Sequence, residues 1–368
     1  MASGTALAAS TPTLRSLQVM RGLAAVAVAF YHTHLILGQH DRSASGLLAA
    51  VTTRGWLGVN FFFVLSGFII MYAHARDIGR PARAGRYIWR RFSRVYPVYW
   101  LFLSAYIGAA ALGLGNPDFA WDPLNLTSAY LLVQLKPIVS LPLQVAWTLF
   151  CEVSFYIAFL FLILNRAVGI GVILLWVAAI VAVGPIGGVR EPGWFIHSWN
   201  LYFLAGMAAY AGFRRLDGRH GVPLLGLGVA LLVLCLGLGL VDPRIATAMR
   251  VPGRLLLLAV PFTFILLGAA LAEQHHGWRY PRWLLLLGDA SYAVYLVHSA
   301  VISLVAAKAV GVFAPLPPVL LYLLLGGLGI VAGVLAHLMV ERPLLAWLRH
   351  VDSVKKRNAP LPGGERTV

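Results

Sequence analysis

The stretch Arg21-Gly-Leu-Ala-Ala-Val-Ala-Val-Ala-Phe-Tyr-His32 sets a guanidinium and an imidazole at the two ends of an apolar run. With its flanks, from Leu17 to Gly38, the run is long enough to cross a bilayer as a helix, which takes about 20 residues. At about 1.5 Å per residue the two groups lie roughly 16–17 Å apart along the axis and close to three turns apart, so they share one face. Ionisable groups in hydrocarbon are costly unless they face a bundle interior or a cavity. Taken alone, Arg21 reads equally well as a side chain snorkelling to the headgroups. The shared face with His32 points to a site.

Hydrophobic residues make up 60% of the 368-residue chain and the mean hydropathy is +0.80. These values exclude an ordinary soluble domain and predict an all-α polytopic membrane protein. The two cysteines, Cys151 and Cys235, both fall inside apolar runs, so no disulfide framework is expected. Residues 1–16 are small and polar, without the basic start and apolar core of a cleavable leader, so the first span is expected to stay as an anchor.

Apolar runs of spanning length fall at 17–38, 56–75, 92–114, 143–165, 168–187, 195–212, 222–241, 254–272, 287–311 and 318–340, about ten transmembrane helices in all. The piece at 124–135, bounded by Pro123 and Pro137, reads as an outer loop or re-entrant element. If both termini are cytoplasmic, 21 of the 29 Lys and Arg fall on the inside, as the positive-inside rule requires. That distribution accounts for the net charge of +16 without a nucleic acid partner. The expected architecture is a bundle around a central cavity: a cytoplasmic segment at 1–16, a transmembrane domain at 17–345, and a basic cytoplasmic tail without regular structure at 346–368, drawn to anionic lipid. Gly329-Ile-Val-Ala-Gly333 is a small-residue pattern that suits packing within the bundle and implies no oligomer.

Several groups can carry chemistry. Arg86-Tyr-Ile-Trp-Arg-Arg-Phe-Ser-Arg94 ends the densest cluster of charge and places Arg91 and Arg94 on one helix face. Arginine forks match phosphate oxygens, so these two are candidate ligands of a multi-phosphate molecule, against the alternative of topology and lipid headgroups. Glu152 lies roughly 13–14 Å below the outer end of its span and His32 roughly 9 Å below the same face. Contact between them would orient a general base; a structural ion pair is the rival. Asn60 and Ser66 in Gly58-Val-Asn-Phe-Phe-Phe-Val-Leu-Ser-Gly67 suit inter-helix hydrogen bonds, Ser66 especially. Ser291, Tyr295 and His298 form a polar stripe on one helix face. Asn60, Tyr292, Tyr295 and His298 are candidates for an acceptor site or polar cavity. His32 and His34 diverge by about 200° on a helix and cannot share a metal, and no metal site is expected. Glu341-Arg-Pro343 reads as the end of the last helix, with Glu341 pairing to Arg342 or to the arginine loop.

Together Arg21-x10-His32, Gly58 to Phe68, Arg91-x-x-Arg94 with Tyr96-Pro97, Trp147-Thr-Leu-x-x-Glu152 with Phe155-Tyr156, Ser291 to His298, and Glu341-Arg-Pro343 resemble membrane-bound acyltransferase family 3. These are bacterial O-acyltransferases of the exopolysaccharide- and O-antigen-modifying type, some acting on small products. The family's usual Trp-Ser-Leu appears here as Trp147-Thr-Leu, a hydroxyl for a hydroxyl.

The resemblance implies a bacterial inner-membrane O-acyltransferase that takes an acyl group, acetyl above all, from cytoplasmic acetyl-CoA or another acyl-CoA without a metal. The acceptor would be a hydroxyl of a saccharide, free or lipid-linked. Arg21, Arg91 and Arg94 would bind the CoA phosphates, and a protein-lined shaft would carry the thioester up to His32. His32, oriented by Glu152, would then act as general base or as an acyl carrier. Alternatives are a secondary transporter with a His/Glu proton relay, against which no inverted repeat is evident, a scaffold for polysaccharide assembly, and acylation of a macrolide-like small molecule.

Overall fold

The computed structural model describes residues 14–114, 119–183, 193–241, 253–309, 311–312 and 315–357; no strand occurs among them. Each expected apolar run falls on a helix. These are α1 (Arg15–Gly38), α3 (Leu57–His74), α4 (Ala84–Ala111), α6 (Trp147–Leu164), α7 (Arg166–Val181), α8 (Leu201–Phe213), α9 (Gly221–Gly237), α10 (Ala259–His276), α11 (Arg282–Ala309) and α12 (Pro318–Ala336). Short helices α2 (Gly46–Thr52) and α5 (Pro123–Leu131) lie in the connections, and α13 (Arg342–Arg357) ends the described chain. Among the described residues, seven helical stretches are long and apolar enough to span a membrane. Of the rest, α7 and α8 are short, and α4 carries the arginine cluster.

Many outward-facing residues are large and apolar, including Leu174 and Leu175 on α7 and Val233 and Leu234 on α9. Helices facing lipid keep apolar side chains on the outside as well as the inside, and this is a multi-pass membrane protein. Local polar groups set the turns. Asn165 alone joins α6 to α7, its Oδ1 accepting from Ala167 N and Val168 N. Asp122 caps α5 by accepting from Asn125 N and pairs with Lys136; that ammonium, with the backbone N–H, holds its carboxyl below the usual carboxylate range. The start of α1 is capped from α10, where Glu273 accepts from Arg15 N at 2.8 Å and Ser16 N at 2.7 Å.

Packing orders the bundle as α9–α10–α8–α3–α1–α11–α12, with α6 and α7 paired and α4 lying against α6, α11 and α13. The crossings are close. A Cβ on Gly67 would sit 2.0 Å from Phe203 O, and one on Gly206 1.8 Å from Val64 O, so α3 and α8 meet backbone to backbone. Gly329 and Gly333 of α12 receive α11 at Ile302 and Val294, the within-bundle use expected of that pattern.

Two expectations fail at the C-terminal side. The last helix does not stop at Glu341-Arg-Pro343: a π-turn at His337–Glu341 leads straight into α13. Pro343 follows directly after it, where its missing N–H interrupts the hydrogen-bond ladder locally without ending the helix. Residues 346–357, expected to lack regular structure, are therefore helical, with Leu344 and Leu345 packed on the core and Trp347 exposed. Residues 1–13 and 358–368 lie outside the described residues.

Candidate active site

Five helices, α1, α3, α4, α6 and α11, line one cavity of about 130 Å³. That is room for a slender chain of atoms and less than the roughly 300–1,000 Å³ that drug-sized ligands occupy. Arg21 of α1, Arg91 and Arg94 of α4, Glu152 and Tyr156 of α6, and Tyr292 of α11 all line it. The expected gathering of three guanidiniums around one space is present.

Each of the two cavity arginines of α4 ends a short chain made of one histidine and one carboxylate. Arg91 lies 5.7 Å from the Tyr156 ring centroid, and its Nη2 is 3.5 Å from His74 Nε2. His74 Nδ1–H in turn donates to Asp77 Oδ2 at 2.9 Å, which fixes Nε2 as an acceptor. Arg94 Nη1 donates to Glu341 Oε1 at 2.9 Å, while His337 Nδ1 donates to Glu341 Oε2 at 2.9 Å. Arg94 also lies 5.5 Å from the Tyr292 ring centroid, and Tyr292 is anchored by its hydroxyl donating to Val95 O at 3.0 Å. Glu341 thus pairs with the arginine helix, not with Arg342. Arg21 interacts electrostatically with Arg94, Glu341, Glu152 and Tyr156.

Tyr156 OH donates to Glu152 Oε1, and Ser66 Oγ–H reaches the same oxygen at 3.3 Å, the inter-helix bond expected of that serine. One turn further along α6, Thr148 Oγ1–H donates to Tyr295 OH at 2.8 Å, and that hydroxyl donates to Val145 O at 2.9 Å. Tyr295 and Phe62, with ring centroids 6.2 Å apart, line the cavity at this level.

Beyond that layer lie the two imidazoles. His298 Nε2 is 3.1 Å from His32 Nδ1, and the ring centroids are 4.9 Å apart. His32 Nδ1 is also 3.0 Å from Val28 O, and His298 Nδ1 is 2.8 Å from Val294 O. Neither histidine lines the cavity, whereas Tyr295, with its ring centroid 6.1 Å from that of His298, does. The shaft expected to run from the arginines to His32 therefore stops one side chain short.

The expected pairing of His32 with Glu152 is not found; the partner of His32 is His298. The depths read from the sequence differ by about one helical turn, and Tyr295 fills that turn. Asn60 is fully buried beside Tyr202, away from the cavity. His34 turns to Tyr322 OH at 3.0 Å, diverging from His32 as expected. Sequence reasoning misses His74, Asp77 and His337. Their signal is spacing, since residues three or four apart on a helix are neighbours and each of these pairs joins a histidine to a carboxylate.

A family model described as an acyltransferase domain matches residues 14–338. The chain belongs to acyltransferase family 3. The exopolysaccharide production protein ExoZ of Rhizobium meliloti (strain 1021) is 31% identical over 307 residues, covering 80% of this chain and 90% of its own length. Acyltransferase MdmB of Streptomyces mycarofaciens is 30% identical over 325 residues, covering 78% of this chain and 79% of its own. No solved structure matches. As a family 3 acyltransferase the protein is an enzyme, an O-acyltransferase, and the transporter and scaffold readings fall away. The matched stretch holds all five cavity helices and both imidazoles, and ends three residues before Glu341.

Proposed function

We propose that this O-acyltransferase moves an acyl group, acetyl above all, from cytoplasmic acyl-CoA to a hydroxyl of a surface polysaccharide or its lipid-linked precursor. It does so in a bacterial inner membrane, with ten spans and both termini cytoplasmic. The observation that carries the donor reading is the convergence of Arg21, Arg91 and Arg94 on one cavity. Bidentate guanidiniums suit the phosphates of CoA, which stay at the mouth because the cavity is too narrow for a nucleotide. The pantetheine arm is slender enough to enter. Glu152, among the arginines, lowers their mutual repulsion while the site is empty. The saccharide acceptor is supported by the similarity to ExoZ, whose name speaks of exopolysaccharide production.

On this reading the acyl end reaches His32 when the Tyr295 ring swings aside. His32 then acts as general base: it takes the proton of the acceptor hydroxyl as that oxygen attacks the thioester carbon, and returns it to the departing CoA sulfur.

Two measurements test the proposal. Purified full-length protein in lipid nanodiscs is given acetyl-CoA labelled in the acetyl group; saturable binding that weakens in Arg21→Ala, Arg91→Ala and Arg94→Ala is expected, and absence of binding overturns the donor assignment. Mass spectrometry of cell-surface glycans with and without the protein is expected to show a lost acyl mass, and unchanged glycans overturn the acceptor assignment.

A further inference from the structure

We propose that His298 is a positioning residue for His32: its neutral ring accepts the His32 Nδ1–H and supports the imidazolium that forms when His32 Nε2 takes a proton. This rests on the reading of His32 as general base.

The hydrogen-bond geometry dictates where the protons are. His298 Nδ1 is 2.8 Å from Val294 O, and a carbonyl oxygen only accepts, so Nδ1 carries a hydrogen. In the neutral ring this leaves a lone pair on Nε2. That nitrogen faces His32 Nδ1 at 3.1 Å, and His32 Nδ1 is also 3.0 Å from a second acceptor, Val28 O. One N–H on His32 therefore serves both Val28 O and His298 Nε2, a three-centre bond. Protonating His298 as well would set two N–H groups head to head in a fully buried place. The pair is consistent only with a neutral His298.

Among the described residues nothing bonds His32 Nε2, and His32 is only partly buried. With Nδ1 engaged by Val28 O and His298, it is the basic nitrogen of the pair that remains for an incoming hydroxyl. When the acceptor O–H bond breaks, its oxygen bonds to the thioester carbon and its proton goes to His32 Nε2. The C–S bond then breaks, and the sulfur leaves with the electron pair and collects the proton. While His32 is charged, its Nδ1–H bond to His298 is charge-assisted and stronger than before. A carboxylate does this work in the serine hydrolases. An imidazole does it here without the desolvation penalty of a second buried ion.

The test uses full-length protein in nanodiscs with acetyl-CoA as donor and methyl glucoside as the hydroxyl probe, reading released CoA thiol per mole of monodisperse protein. His298→Leu is expected to lower kcat by about 100-fold with the donor KM within about twofold of the unchanged protein. His298→Gln, whose side-chain oxygen can stand near the Nε2 position and accept, is expected to keep kcat within about tenfold. A His298→Leu variant with unchanged kcat overturns the proposal, as does a His298→Gln variant as slow as His298→Leu. His32→Ala separates the two ideas: if it turns over normally the general-base reading fails. If His32→Ala is inactive and His298→Leu is normal, only the positioning role fails. Should His298→Leu not yield monodisperse protein, nitrogen-15 NMR of the histidine-labelled protein decides. Protonation of His32 at Nδ1, with coupling across the bond to His298 Nε2, supports the proposal, and protonation at Nε2 alone overturns it.

Discussion

Arg94 and Glu341, 247 residues apart in the chain, form a 2.9 Å ion pair whose carboxylate is fully buried. The pair fixes a cavity arginine that is itself one-third exposed. Replacing Arg94 with Ala removes a charged donor from the proposed phosphate site. Hydrogen bonds to charged groups are worth about 1.5–3 kcal/mol, so the donor KM is expected to rise about 10- to 100-fold. Glu341→Gln leaves an acceptor for Arg94 but removes the charge and mismatches the His337 N–H, and a smaller rise in the same direction is expected. Donor titrations at saturating acceptor check both; an unchanged KM in Arg94→Ala removes that residue from the donor site.

Arg91 depends on a longer chain, through His74 to Asp77. Asp77→Asn no longer fixes the proton on His74 Nδ1, so His74 Nε2 ceases to be a dependable acceptor for the guanidinium. A rise of about threefold to tenfold in donor KM is expected, with kcat little changed, for the loss of one bond worth about 1 kcal/mol. Arg91→Lys is expected to be as damaging as Asp77→Asn, because an ammonium cannot reproduce the planar fork.

Tyr295 stands between the cavity and the imidazoles, tied to Thr148 and Val145. Tyr295→Phe keeps the ring and cuts both ties, at about 1 kcal/mol of stability. A ring that swings more freely admits water along with the thioester. Hydrolysis of acetyl-CoA without acceptor is expected to rise, about threefold to tenfold. Free thiol release measures it, and a rate equal to that of the unchanged protein counts against the tyrosine as the closing element.

Gly67 and Gly206 let α3 and α8 touch. Gly67→Ala would place a methyl 2.0 Å from Phe203 O, a backbone atom that cannot turn away. Overpacking of this kind costs about 1–3 kcal/mol or more. A lower thermal midpoint and reduced monodisperse yield are expected, and an alanine variant as stable as the original would show that the helices part at little cost.

Much of this was legible in the sequence because membrane helices are written in long apolar runs, and every run in the expected set falls on a helix. The arginines were legible because charge in such a chain is rare and its spacing carries the face. Apart from the His74–Asp77 and His337–Glu341 pairs, what escaped depends on a second helix. Nothing local to Glu152 says that it meets Ser66 and stops a turn short of His32, and nothing local to His298 names His32 as its neighbour. The continuation past Pro343 escaped for a different reason: proline was read as a stop, whereas the helix carries on across it directly after a π-turn.

That π-turn has a consequence for the phase of the rod. Each added residue in a helical ladder rotates everything downstream by about 100°. The bundle-facing stripe of α12, set by Gly329 and Gly333, and the core-facing side of α13, set by Leu344 and Leu345, are thus dialled independently. The chain can seat His337 and Glu341 where Arg94 needs them and still turn Leu344 and Leu345 of its terminal segment onto the core.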